Sequence, residues 1–146
     1  SGTPGDPRDW MRGGHAISTL DAFARAHDGR APVVVIVDEN GSFHGDTECV
    51  NRPGSRSETY VTVDVVHAIV QHFGVSPTGW TIAGDSEGGT CALTLALRHP
   101  GTFASVSAFA PIAAPSRGAK LFLSVRNFCD DANSDVEFAA GGLNTS

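Results

Sequence analysis

Residues 80–100 read WTIAGDSEGGTCALTLALRHP: a short apolar run, a serine set between two glycines, and a helix-length stretch that is apolar on most of its circumference. A helix of that kind has to be buried against a sheet. The glycines at 84 and 88 permit a tight turn between strand and helix, and such a turn lifts the hydroxyl of Ser86 clear of the sheet. A chain with this segment at its centre is therefore expected to build an α/β layer around a strand, a turn and a helix.

The remaining segments fit that expectation. PVVVIVDEN, from residue 32, is short, continuous and β-branched, as strands buried on both faces are. FASVSAFAP and KLFLSV add two more strands. Between His15 and His27 the apolar residues Ile17, Leu20, Phe23 and Ala24 recur at helical spacing, and DGRAP ends the pattern. In SETYVTVDVVHAIVQHFG, Val61, Val65, Ile69 and Phe73 lie four apart on one helical face and Gly74 supplies a stop, although the alternation of Val61, Val63 and Val65 leaves a strand reading open. Residues 1–14 are rich in turn formers and read as a loop, and residues 39–57 read as a long loop leaving the first strand. Strands alternating with helices predict a parallel sheet. We find no internal repeat and no dividing linker, so residues 1–146 are expected to form a single α/β domain.

The chain has 146 residues, 40% of them hydrophobic, as expected of one globular unit with a core. Its net charge of −6, with no Lys/Arg cluster, argues against a nucleic-acid partner or an anionic membrane surface. PVVVIV is far too short to span a bilayer, and no charged-then-apolar leader opens the chain. Three cysteines without C-x-x-C spacing disfavour a metal site; one disulfide with a leftover thiol and three free thiols both remain open.

Gly84-Asp85-Ser86-Glu87-Gly88 matches G-x-S-x-G, and its position between strand and helix makes Ser86 a candidate nucleophile. The first amides of the following helix have no helical partner, so the Glu87 N–H is placed to hold an oxyanion developing on an attacked carbonyl. The side chain of Glu87, in the first helical turn, complements the helix dipole. A second donor normally comes from the loop after an earlier strand, and the N–H of Thr3 is the candidate; Pro4 has none to offer.

Taken together, GDSEGGTCALTLALRHPGTFASVSAFAP, with ETY at 58–60 and VSPTGW before the serine strand, resembles the α/β-hydrolase esterases that include S-formylglutathione hydrolases (esterase D) and the mycobacterial antigen 85 mycolyltransferases. The resemblance covers roughly residues 1–115. It implies an acyl ester or thioester substrate, an acyl-enzyme on Ser86, transfer of the acyl group to water or an alcohol, and no cofactor. It also suggests that the loop after the first strand folds over the serine helix, which would bring Cys49 and Cys91 within disulfide range. Such a bond favours an extracellular or cell-envelope location.

The resemblance also sets a requirement that the chain does not meet. Its order is serine, then acid, then histidine. Only His99 follows Ser86, and a helix rising about 1.5 Å per residue puts it roughly 20 Å away. His15, His27, His44, His67 and His72 come too early; His67 and His72 fall on the polar side of their helix, and His44 lies near the expected catalytic edge. Asp131, after the KLFLSV strand, stands where the family keeps its triad acid. The four strands read here are fewer than a full domain of that family carries, so the chain is expected to be an incomplete α/β-hydrolase sheet with exposed edges open to self-association. The alternative is a hydrolase-like domain that binds a ligand without catalysis, or an inactive fragment.

Overall fold

The computed structural model of the chain describes residue 2 and residues 4–111. The centre is a strand–helix–strand unit. β3 (Trp80–Asp85) and β4 (Phe103–Phe109) pair in parallel, from Trp80 opposite Phe103 to Asp85 opposite Phe109, with a register irregularity between Trp80 and Thr81. The helix α5 (Glu87–Arg98) connects them and is buried from Glu87 to Ala92 and again from Thr94 to Ala96. Leu95 and Ala92 from α5 and Phe103 and Val106 from β4 form the core with Val61, Cys49 and Cys91. Phe103 and Val106 are the inward residues of β4, while Ala104 and Phe109 face out.

Around this unit lie α1 (Arg8–Arg12), α2 (Ala16–Ala26), a two-residue hairpin of β1 (Asn51–Arg52) and β2 (Ser55–Arg56), and one long helix. The Pro53-Gly54 turn closes the hairpin, with Gly54 at φ 83°, a value that glycine takes without cost. The long helix starts as α3 (Ser57–Thr59), widens into a π-helical segment (Tyr60–Val65) and ends as α4 (Val66–Phe73). Gly74, at φ 66°, stops it and donates its N–H to the Val70 carbonyl. A stripe spaced by four overshoots a 3.6-residue turn, by roughly 120° over twelve residues. Val61, at the start of the stripe, is accordingly buried, while Phe73, at its end, is 55% exposed.

Two expectations need correction. Residues 8–12 of the expected opening loop form α1, where Asp9 sits in the first turn and Arg12 in the last, as the helix dipole favours. Residues 32–38, expected as a strand, join no ladder among the described residues. Their β-branched side chains disfavour helix, but a strand also needs a backbone partner. Instead Val35 and Ile36 line a cavity of about 730 Å³ together with Trp80 and Ile82 of β3. The KLFLSV strand lies outside the described residues.

Candidate active site

Ser86 stands between the end of β3 and the start of α5 with φ 54° and ψ −119°. For a residue with a Cβ this is strained backbone, of a kind that costs about 1–3 kcal/mol and persists only where the surroundings over-determine it. Here they do. The Ser86 N–H donates to the Phe109 carbonyl at 2.8 Å, continuing the β3–β4 ladder by one residue. The Ser86 carbonyl accepts from the N–H groups of Gly89 (3.0 Å) and Thr90 (3.2 Å), which opens the helix. Ladder and helix thus hold the two sides of one residue.

The glycines make that geometry possible. A Cβ on Gly84 would overlap the Gly88 carbonyl, and one on Gly89 would come within 2.9 Å of the Phe109 carbonyl oxygen. The close approach of helix to strand is what turns the backbone at Ser86. The N–H of Glu87 has no acceptor among the described residues, as the first amide of a helix is left without one.

Two loops wall the site. Gly2 packs on the serine: a Cβ there would lie 3.1 Å from Ser86 Cβ and 3.6 Å from its Oγ. Gly5 donates its N–H to the Phe43 carbonyl at 3.1 Å, tying this stretch to the loop that follows residue 38. That loop is pinned to α5 twice, by the Cys49–Cys91 disulfide (Cα–Cα 5.2 Å) and by a 3.1 Å hydrogen bond from Asn40 Nδ2 to Glu87 Oε2. Asn40 Oδ1 accepts from the N–H of Thr47 at 2.9 Å, and Ser57 Oγ donates to the Glu39 carbonyl at 2.7 Å. A buried polar chain therefore runs from the serine turn through the loop to α3.

The Glu87 carboxyl is the electrostatic anomaly. The residue is only 4% exposed, and Oε1 is buried with no hydrogen-bond partner among the described residues. Burial raises its pKa from 4.5 to about 7, the Asn40 hydrogen bond opposes that, and the nearby charges of Glu39 and Asp46 add to it. The sequence reading assigned this side chain to the helix dipole and missed its link to Asn40. The acidic-amide step Asp38-Glu39-Asn40 directly after an apolar run was the available signal.

No histidine reaches Ser86. His99 Nε2 lies 2.8 Å from Glu58 Oε1 at the far end of α5, His27 Nδ1 lies 2.8 Å from the Phe23 carbonyl, and His67 pairs with Gln71. His15 precedes α2 as its N-cap, and His44 and His72 are exposed. Thr3 and Asp131 lie outside the described residues, as does Cys129. Among the described residues no cluster of His, Cys, Asp and Glu is arranged to hold a metal ion, and no helix is long and apolar enough to cross a membrane.

Comparison with known proteins places this arrangement. Residues 2–140 match the Esterase family model, described as "Putative esterase". The chain is 40% identical over 121 residues to an uncharacterized protein of Corynebacterium glutamicum, a match over 82% of this chain and 28% of that protein. It is 41% identical over 85 residues to the S-formylglutathione hydrolase of Mus musculus, over 56% of this chain and 30% of the enzyme. The S-formylglutathione hydrolase of Paracoccus denitrificans is 39% identical over 79 residues, over 53% of this chain and 28% of that one. These curated relatives are thus matched over less than a third of their own length. A solved ferulic acid esterase shares the fold with TM-score 0.63 at 21% identity, over 86% of this chain and 52% of that chain. The α/β architecture and the match across residues 2–140 agree, and the chain belongs to the esterase family.

Proposed function

We propose that Ser86 is the nucleophile of an ester hydrolase, attacking the carbonyl of an acyl ester or thioester and carrying the acyl group as an acyl-enzyme. The observation that carries this reading is the backbone of Ser86 itself, held at positive φ between a strand and a helix N-terminus. A strained position of this kind is expected where a hydroxyl must project from the sheet toward free amide donors. The Glu87 N–H is the first donor to the oxyanion, and the Thr3 N–H is proposed as the second. Membership of the esterase family and the S-formylglutathione hydrolase relatives support the ester or thioester class.

The hydroxyl oxygen bonds to the acyl carbon, its proton passes to a base, and the alcohol or thiol leaves with a proton. Water then reverses the sequence, releasing the acid; an alcohol in its place would make the protein an acyltransferase. None of the six histidines is hydrogen-bonded to Ser86 in this structure, so the base is proposed to come from elsewhere in the full-length polypeptide, with Asp131 proposed to orient it. A disulfide beside the site fits an extracellular or cell-envelope setting.

Fluorophosphonate labelling tests the nucleophile. The full-length polypeptide should be modified at Ser86, mapped by peptide mass spectrometry, and Ser86→Ala should abolish both labelling and hydrolysis of p-nitrophenyl acetate. Labelling absent at every pH would instead support a hydrolase-like domain that binds without catalysis.

A further inference from the structure

Glu87 is the residue whose side chain the reaction does not use and whose surroundings are hardest to reconcile with a surface acid. Its carboxyl belongs to the same residue as the candidate oxyanion amide. One oxygen accepts from Asn40, whose own carbonyl oxygen holds the Thr47 amide; the other is buried without a donor among the described residues. Buried polar groups are ordinarily paired, and a buried charge without a donor is far costlier than a buried neutral acid. The N-terminus of α5 favours a negative charge at this position, but that favour is smaller than the cost of removing a carboxylate from water.

The neighbourhood adds to the cost. Glu39 and Asp46, both from the loop, are negative and push further against a charge on this carboxyl. Moving the loop away from α5 would return the group to water. The disulfide fixes Cys49, and the stretch from Asn40 to Thr47, with Gly41 at φ 68°, carries the contact to Glu87. Moving it breaks the Asn40 contact and, with it, the Gly5–Phe43 link to the other wall.

We propose that Glu87 is a positioning residue that latches the 40–47 loop against the serine turn as an uncharged acid, and that its ionisation unlatches the loop and disables the oxyanion site. The consequence for labelling rests on the reading of Ser86 as nucleophile; the latch itself does not.

The sign of the pH effect follows from linkage. A carboxyl that is neutral in the closed form up to about pH 7, and ordinary (pKa 4.5) once exposed, makes opening easier as pH rises between those values. The opening equilibrium should grow about tenfold per pH unit in that window and level off above it.

Amide hydrogen exchange of Thr47, corrected for its intrinsic pH dependence, reads the latch in the full-length protein. Protection should fall steadily from pH 5 to pH 7 in the wild type and stay flat in Glu87→Gln, which preserves an acceptor for Asn40 but cannot ionise. Fluorophosphonate labelling should decline in the wild type as pH rises toward 7 and level off above it, relative to Glu87→Gln, in which that latch-dependent decline should be absent. Should Glu87→Gln not fold, carbon-13 NMR of the wild-type Glu87 carboxyl serves alone: titration near pH 7 supports the latch, and titration below pH 5.5 overturns it. Equal pH dependence of Thr47 protection in wild type and variant overturns it as well. If exchange behaves as expected but no pH gives labelling at Ser86, the latch stands and the nucleophile reading falls.

Discussion

Gly84 and Gly88 approach so closely that a side chain on the first would occupy the carbonyl of the second. Four residues apart in sequence, they fold back on each other because Ser86 reverses the chain between them, from the end of β3 into the first turn of α5. The contact is backbone to side-chain position, so no rotamer change can relieve an added methyl. Gly84→Ala is therefore expected to destabilise the protein by about 3 kcal/mol or more, at or beyond the upper end for overpacking. Gly89→Ala meets the Phe109 backbone carbonyl at 2.9 Å, a less severe overlap that still forces backbone to shift, and should cost about 1–3 kcal/mol. Urea unfolding midpoints of the two variants give the order; Gly89→Ala as the more damaging of the pair would contradict the geometry of the turn.

The Cys49–Cys91 bond closes a chain loop with a sequence separation of 42. Constraining a loop of that length in the unfolded state stabilises a protein by about 3–4 kcal/mol in the chain-entropy picture. Cys49→Ala with Cys91→Ala should lose about that much, and reduction of the wild type should lower its thermal midpoint while the double variant does not respond to reductant. Because both sulfurs are buried in the core beside Leu95 and Ala92, part of the loss comes from packing and not from the crosslink. Comparing reduced wild type with the double variant separates the two.

Much of the site could be read before the structure, for reasons that lie in particular residues. The serine turn was legible because Gly84, Ser86, Gly88 and the apolar helix are contiguous, and local sequence alone dictates the bend. α4 was legible at its end because Gly74 takes the left-handed conformation that stops a helix. The 32–38 segment misled because β-branching reports what a residue tolerates, while a ladder depends on a neighbour supplied by another part of the chain. α1 was hidden by the turn formers on either side of its five residues. The Asn40–Glu87 contact spans 47 residues, and nothing local in either segment announces it.

The raised pKa of Glu87 is also a statement about stability. In the unfolded chain its pKa is the ordinary 4.5, and in the folded protein about 7. Between those values the folded state holds the proton more tightly, so stability falls as pH rises. The benefit of the neutral form is fully present below about pH 4.5 and is lost as pH climbs through about 7, a change of about 3 kcal/mol. Glu87→Gln should be free of this slope. Chemical unfolding at pH 5 and pH 8 measures it as the difference between wild type and variant, which cancels the contribution of every other carboxylate. A difference that grows in the wild type's favour with rising pH would have the wrong sign.

His99 offers the sharpest contrast between a histidine that supports the fold and one that does chemistry. It follows α5 immediately, and its Nε2 meets Glu58 Oε1 at 2.8 Å, where Arg98 Nε also arrives at 3.1 Å. Glu58 is buried at the head of the long helix, so this cluster fastens the end of α5 to α3. Thirteen residues of helical rise separate it from Ser86, roughly 20 Å. His99→Ala removes one of two donors to a buried carboxylate and should cost about 1–2 kcal/mol, given the strength of hydrogen bonds to charged groups. Glu58→Ala should cost more, since it leaves both Arg98 and His99 without this acceptor at a buried position. Neither should change the rate of fluorophosphonate labelling at Ser86 by more than about twofold at temperatures where both variants are folded, because effects at sites this far apart are close to independent. A labelling rate that collapses in His99→Ala while its unfolding midpoint holds would mean that this histidine reaches the serine, and the helix between them would have to be broken.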